Sequence, residues 1–245
     1  MKHRLLFGLV LILTACGNPE VSIPASTPEA IEIIFPQALQ PWVDKLASCA
    51  YNVPQIALYF LESEALDTVI QPNSIELKLG QPNNISDVTY LSQVGWEQIV
   101  VVVNQENPLL QLSNEELKSI FSGQGLKLED GTHQPTQVWV LPKEEPTRLI
   151  FEHAAMQKQS FATDAKLAPD PFALLETISQ NIGAIGYLPG SFINPNDPSI
   201  SSKVKIIQLE SSLKAKLRQP VIAITQSEPK GLMRSLLVCL EANSH

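Results

Sequence analysis

The sequence predicts an α/β protein in which strands and helices alternate around a largely parallel sheet. Residues 99–103 read IVVVV, an unbroken apolar run that is typical of a strand covered on both faces inside such a sheet. A proline-bearing turn follows, and then Ser113 and Glu116 have the spacing of a capping box that begins a helix. Gly123 marks the end of that helix, so this stretch predicts strand, loop and helix in that order.

The chain from residue 31 onward repeats this alternation, which favours parallel pairing. Predicted strands cover residues 31–35, 56–60, 74–79, 94–103, 137–141, 184–188, 204–209 and 221–225. Besides the capped helix, predicted helices cover residues 39–50, 146–158 and 230–241, with a short one within residues 166–180. The pattern of residues 66–70 fits neither class of element.

The first sixteen residues have the pattern of a bacterial lipoprotein signal. A basic start precedes the apolar residues 5–13, and the run Leu13-Thr14-Ala15-Cys16 resembles a lipobox. This predicts cleavage after residue 15, a lipidated Cys16 and a Pro-, Ser- and Thr-rich tether over residues 16–30. The expected location is the outer face of a cell membrane. An ordinary secretory signal is the alternative, and the absence of an A-x-A cleavage site argues against it.

Composition excludes several classes of partner. The chain has 17 basic and 25 acidic residues, a net charge of −8, and no basic stripe with interleaved aromatic residues. We therefore expect neither nucleic acid nor an anionic lipid headgroup as a partner. Hydrophobic residues make up 44% of the chain, which is enough for a substantial core in one large domain or two small lobes.

No set of residues in the sequence predicts catalysis or a cofactor. The four histidines, His3, His133, His153 and His245, do not have metal-ligand spacing. Ser191 lacks the second glycine of a nucleophile elbow, and Glu144-Glu145 is typical of a charged turn. The sequence therefore predicts a protein that is not an enzyme and holds no metal.

Two cysteines remain beyond Cys16, and the sequence leaves their state open. Cys49 lies in the first predicted helix and Cys239 in the last. A disulfide between them is compatible with a location outside the cytoplasm. Two buried free thiols are the alternative, since cysteine is often buried when unpaired.

Three segments carry a resemblance to a known family. They are residues 99–123, residues 181–189 (NIGAIGYLP) and residues 219–237 (QPVIAITQSEPKGLMRSLL). In this order they resemble the crossover strand and helix, the return segment and the closing strand and helix of phosphate-binding-protein-like solute receptors of ABC importers. The segments cover less than half of the chain.

The resemblance implies a two-lobed periplasmic-binding-protein-like fold over residues 31–245, with mostly parallel sheets flanked by helices and a cleft between the lobes. The first lobe is expected over residues 31–102 and 190–245, and the second over residues 103–189. Both chain ends then belong to the first lobe, so the helices that carry Cys49 and Cys239 are able to meet.

The resemblance also implies a ligand site formed by three loops, at residues 35–38, 79–82 and 142–148. The candidate ligand-binding residues are Gln37, Gln81, Lys143, Thr147, Arg148 and Tyr187. The hydroxyl-rich motifs of the phosphate binders are largely missing, and only Thr147 and Arg148 preserve the end of the third motif. Pro146 has no N–H, and the carboxylates of Glu144 and Glu145 repel phosphate. We therefore expect a small or anionic solute other than phosphate.

Two functions remain open. The first is a lipid-anchored substrate receptor that delivers a small solute to an ABC permease. The second is an accessory or sensing lipoprotein that uses the same fold to bind a protein partner, because a fold alone does not determine function.

Overall fold

The structure is a computed structural model that describes residues 28–51, 53, 55–63, 70–82, 89–127, 133–134, 137–194 and 198–244. The predicted signal peptide, Cys16 and residues 17–27 of the tether lie outside the described residues, as do residues 66–69. Within the described ranges the chain forms thirteen strands and seven α-helices. The strands are β1 (Glu29–Phe35), β2 (Ile56–Glu62), β3 (Ser74–Leu79), β4 (Tyr90–Asn104), β5 (Gln111–Leu112), β6 (Leu126–Lys127), β7 (His133–Gln134), β8 (Gln137–Val140), β9 (Lys166–Leu167), β10 (Ala184–Pro189), β11 (Val204–Ile206), β12 (Gln208–Leu209) and β13 (Arg218–Thr225). The helices are α1 (Gln40–Tyr51), α2 (Asn114–Phe121), α3 (Pro146–Phe151), α4 (Pro171–Gln180), α5 (Pro198–Ser201), α6 (Ser211–Lys216) and α7 (Gly231–Ala242).

The capping box predicted for the second helix is confirmed. Ser113 Oγ accepts a hydrogen bond from the Glu116 N–H at 3.3 Å, and Glu116 Oε2 accepts one from the Ser113 N–H at 2.8 Å. The helix predicted over residues 146–158 is shorter, because α3 passes into a π-helical turn at Glu152–Met156 and ends at Gln157. The strand predicted over residues 204–209 is divided into β11 and β12.

One sheet connects most of the strands in the order β2-β1-β3-β13-β4-β10-β8-β9, and β11 also pairs with β4. The outer strands are parallel, as predicted: β1 pairs in parallel with β2 and β3, and β8 does so with β10 and β9. The strands in the middle depart from this pattern. β13 is antiparallel to β3 and β4, while β10 and β11 are antiparallel to β4.

The 15-residue strand β4 is shared by two hydrophobic cores, and these define the lobes. Its first half pairs with β13, and Val94 belongs to the core formed with α1, α7, β1 and β3. Its second half pairs with β10, and Ile99 belongs to the core formed with α2, α3, α4 and β8. We call residues 29–98 and 218–244 lobe I, and residues 99–217 lobe II.

These limits differ from the predicted lobe boundaries, which placed the return to the first lobe at residue 190. Val204, Ile207, Leu213 and Leu217 all pack in the core of lobe II. Val221 is the next residue of the core of lobe I along the chain. The return crossing therefore lies at the start of β13.

A disulfide joins Cys49 on α1 to Cys239 on α7, with the two Cα atoms 6.0 Å apart. It lies beside the core of lobe I and connects the first α-helix of the described chain to the last. In the part of the chain that the structure describes, no helix has the length and apolar character needed to span a bilayer.

Candidate ligand-binding cleft

A cleft of about 840 Å³ lies between the two lobes. Its walls include Pro36 after β1, Gly80 and Gln81 after β3, and Glu144 and Pro146 after β8. Because β1 and β3 are parallel neighbours, their carboxyl ends open at the same edge of the sheet. The fold therefore brings together the three loops that the resemblance singled out.

Gly80 shapes the lobe I wall of the cleft. Its φ of +86° lies in the left-handed region, which glycine adopts without strain. Its N–H donates to the Pro220 carbonyl oxygen at 2.8 Å, which fixes the loop after β3 to β13. A Cβ at this position would lie 3.4 Å from Gln219 Oε1 and 3.9 Å from Ile150 Cδ1. A larger residue would therefore project between the two lobes.

The protein's own Glu145 carboxylate occupies the start of α3. Glu145 is 3% exposed and accepts hydrogen bonds from the Thr147 hydroxyl at 2.9 Å and from the Arg148 N–H at 3.0 Å. Pro146 offers no N–H at the first helical position. These donors, which would otherwise attract an external anion, are engaged within the chain.

The lobe II wall of the cleft is partly apolar. Leu149 lines it with 50% of its surface exposed, and Ile150 lies beside it. Ile150 packs against the hydrophobic cores of both lobes, so it bridges them beside the cleft. Pro36 and Pro146 extend this apolar surface.

The charged side chains that line the cleft are predominantly basic. Lys78, Lys216 and Glu144 line the cleft, and their formal charges sum to +1 in a chain whose net charge is −8. Among the described residues, neither lysine forms a salt bridge. On β3, burial raises the pKa of Glu76, and the Lys78 ammonium acts in the opposite direction.

A buried carboxylate links the lobes beside their crossing point. Glu97, which is 3% exposed, accepts a hydrogen bond from Trp42 Nε1 of α1 at 2.7 Å through Oε2. Its Oε1 accepts from the Ser191 N–H at 3.2 Å, in the turn after β10. Gly95 permits the approach of the indole, because a Cβ there would lie 2.4 Å from Trp42 Cη2.

The geometry of two lobes around a cleft agrees with a comparison of sequence families. Residues 90–238, more than half of the chain, match a family described as a PBP superfamily domain. The chain belongs to the PBP superfamily. The two-lobed α/β fold predicted from the sequence resemblance is thereby confirmed. A search of curated protein sequences found no match to this chain.

Solved structures with the same fold include both transport receptors and a regulatory domain. An ABC-type phosphate transport receptor from Vibrio cholerae is 16% identical, covers 86% of this chain and 93% of its own, and has a TM-score of 0.59. A protein described as a phosphate ABC transporter substrate-binding protein with bound phosphate, from Clostridium perfringens, is 13% identical with the same coverages and a TM-score of 0.67. The CcmR regulatory domain of Synechocystis PCC6803, in complex with 2-PG, is 11% identical, covers 88% and 97%, and has a TM-score of 0.63. At these identities the likeness shows the fold alone.

The predicted ligand-binding residues take different places in this PBP superfamily chain. Gln81 lines the cleft, whereas Gln37 and Lys143 are the sequence neighbours of the lining residues Pro36 and Glu144. Thr147 is fully buried under Glu145. Arg148 lies beside a separate cavity of about 550 Å³, where its Nε pairs with Glu152 Oε1 at 2.8 Å.

Tyr187 lies in the core of lobe II and not on the surface of the cleft. It is 0% exposed, and its ring stacks on Phe151 with the centroids 3.9 Å apart. Burial raises the pKa of Tyr187 well above its usual range, and the Arg148 guanidinium acts in the opposite direction. The phenol is therefore neutral at every ordinary working pH.

Four polar residues line the cleft that sequence reasoning did not select: Lys78, His153, Lys216 and Gln219. Lys78 is the last residue but one of a predicted strand and lies next to a predicted ligand loop, so its position was a usable signal. Lys216 is the last residue of α6 and Gln219 is the second residue of β13, and only the pairing of β13 with β3 places them at the cleft. The described residues contain no group of three or more His, Cys, Asp or Glu side chains arranged to hold a metal ion.

Proposed function

We propose that this protein is an extracytoplasmic, lipid-anchored solute receptor whose lobes close on a small ligand and present it to an ABC permease. The observation that supports this function best is the 840 Å³ cleft, which both lobes line and in which the three candidate ligand loops meet. Its volume lies within the range of roughly 300–1,000 Å³ that is usual for small-molecule sites.

The proposed anchor is the lipid on Cys16, and residues 16–30 serve as the tether. Two acyl chains or more provide a stable hold on a membrane, which a single chain does not. A tether rich in proline and small polar residues leaves the lobes free to approach a permease.

We propose that phosphate is not the ligand, although two similar structures are described as phosphate-binding receptors. Glu145 engages the donors at the start of α3, and Glu144 adds a second carboxylate to the wall of the cleft. The CcmR regulatory domain has the same fold in complex with 2-PG, so the fold itself does not select one ligand.

A thermal-shift screen of the full-length chain tests the receptor function. The panel contains phosphate, sulfate, molybdate, sugars, amino acids, organic acids and divalent metal ions. A ligand at 100 times its Kd adds about 2.7 kcal/mol to the free energy of unfolding. For a chain of this size we expect Tm to rise by about 5 to 10 °C with one solute class. Small-angle scattering should then show a smaller radius of gyration when that ligand is bound.

The second candidate is an accessory or sensing lipoprotein that binds a protein partner through the rim of the cleft. Ile150 favours it, because a side chain that already packs against both cores occupies part of the wall of the cleft. No thermal shift across the panel, together with an unchanged scattering profile, would contradict the receptor and support this candidate.

A further inference from the structure

The charges and the apolar surface of the cleft point to one class of ligand, on the premise of the proposed function that the cleft is a solute site. Lys78 reaches it from the end of β3 in lobe I, and Lys216 from the end of α6 in lobe II. Two ammonium groups from opposite lobes are therefore available to one anionic group held between them. In a chain of net charge −8, this local excess of positive charge is informative about the ligand.

Inorganic oxyanions do not match the donors that the cleft offers. A tetrahedral anion is usually held by several fixed N–H and hydroxyl donors that surround it. Here the Thr147 hydroxyl and the Arg148 N–H donate to Glu145, and Pro146 has no N–H. The cationic groups left to an inorganic anion are the long, flexible side chains of two lysines, which bind it as point charges.

The apolar part of the cleft indicates that the ligand has an apolar body. Leu149 is 50% exposed and lines the cleft together with Ile150 from lobe II and Pro36 from lobe I. Burial of this apolar surface against a ligand is favourable, and it does not require a particular orientation of the ligand. A small inorganic ion would leave this surface in contact with water.

We infer that the cleft binds a small organic carboxylate with an apolar body, whose carboxylate lies between Lys78 and Lys216 and whose body packs on Leu149 and Ile150. Gln81 and Gln219 border the same space and supply neutral hydrogen-bonding groups for the rest of the ligand. The class includes branched-chain and aromatic monocarboxylates.

Calorimetric titration of the full-length chain with four matched probes tests this class. Phenylacetate has both features, phenylacetamide has the apolar body without the charge, acetate has the charge without the body, and phosphate is the inorganic anion. We expect phenylacetate to bind and the other three to bind at least about tenfold more weakly, because each lacks one of the two contacts. Equal binding of phenylacetamide, or tighter binding of phosphate or acetate, would overturn the inference.

Substitutions then locate the two contacts. Lys78→Met should weaken phenylacetate binding about tenfold, and Lys78→Arg should restore most of it, because the positive charge returns. Lys214→Met is the matched control on α6, since Lys214 is exposed outside the cleft. Leu149→Ser should weaken binding about tenfold as well, whereas Leu167→Ala, at another exposed leucine, should not. Unchanged binding in both Lys78→Met and Leu149→Ser would overturn the location.

The screen of solute classes separates this inference from the function on which it rests. Binding of a sugar with no binding of phenylacetate would refute the carboxylate class and leave the receptor intact. Absence of binding by every probe and every panel member would refute both.

Discussion

The two lobes have the same kind of layered core, yet they differ in what holds the layers together. Lobe I joins its first and last helices through the disulfide between Cys49 and Cys239, and its β2 edge leaves Tyr59 62% exposed. Lobe II has no disulfide among its described residues. Instead, the rings of Phe121, Phe151, Phe161 and Tyr187 form one cluster between its helices and its sheet, with centroid distances of 3.9 to 6.3 Å.

The difference follows from how each lobe is built from the chain. Lobe I contains both ends of the described chain, so a covalent bond between them closes a loop of 190 residues. Such a bond mainly restricts the unfolded chain. Lobe II is one continuous segment, and packing of large rings is the direct way to stabilise it. Loss of a ring and loss of the disulfide should therefore affect different lobes.

The largest effect should come from the ring cluster. Phe151→Ala removes a fully buried ring that stacks on Tyr187, and we expect a loss of about 4 kcal/mol in the free energy of unfolding. Chemical denaturation measures the loss, and hydrogen exchange should show weaker protection in residues 99–217 first. Phe172→Ala, at a phenylalanine of α4 that is 57% exposed, is the control and should cost less than about 0.5 kcal/mol. Equal losses in the two variants would contradict the role of the cluster.

The second effect concerns lobe I. The double variant Cys49→Ser, Cys239→Ser should lose about 3 kcal/mol, with weaker protection from exchange in α1 and α7. A reductant should destabilise the unmodified chain by a similar amount and leave the double variant unchanged. Alkylation of both cysteines in denatured, unreduced protein, as measured by mass spectrometry, would show that the disulfide is absent in solution.

A smaller effect is expected at the carboxylate that both lobes share. Glu97→Ala leaves Trp42 Nε1 buried without its acceptor, which should cost about 2 kcal/mol. Glu97→Gln keeps an oxygen that accepts, so it should cost less. Chemical denaturation of both variants measures the difference, and exchange should increase on both sides of the crossing. An effect confined to one lobe would show that Glu97 belongs to that lobe alone.

The smallest effect on the free energy of unfolding at neutral pH comes from Tyr187, whose contribution changes only in alkaline solution. Burial raises its pKa in the folded state above the unfolded value, so the folded chain keeps a proton that the unfolded chain releases above about pH 10. Stability should therefore fall by about 1.4 kcal/mol for each pH unit above that point. Tyr187→Phe should remove this part of the alkaline loss, whereas Tyr59→Phe, at an exposed tyrosine, should not. Parallel pH profiles for the unmodified chain and Tyr187→Phe would contradict the prediction.

The elements that were predicted correctly from the sequence depend on local signals. The features that the sequence failed to predict depend on pairing between distant segments. Residues 99–103 and the Ser113 cap are recognisable because the apolar run and the cap spacing lie within a few residues. The division of β4 between two lobes is not, because it depends on where β13 and β10 pair. For the same reason, sequence reasoning assigned residues 190–217 to the first lobe.

In the candidate ligand site, too, local features were predictable and features that depend on distant segments were not. The three loops were predictable, because strand ends and turns are local features. The directions of individual side chains were not: the Thr147 hydroxyl donates to Glu145, which caps α3, and the Arg148 guanidinium donates to Glu152 and to the Leu141 carbonyl oxygen. That cap did have a local signal, since an acidic residue before a proline is a usual way to begin a helix. Lys78 and Lys216 are far apart in the sequence, and only the fold brings them to one cleft.

The long shared strand also affects the order in which the chain is able to acquire its fold. All core residues of lobe II precede residue 218, so lobe II is able to form its core before the last segment joins the fold. The sheet of lobe I lacks an inner strand until β13 enters between β3 and β4, and α7, which packs in the same core as α1, comes after it. Until then, β3 and the first half of β4 have unpaired edges, which other chains recognise readily. The last 28 residues therefore complete a lobe that the first residues began, and the disulfide requires both of these segments.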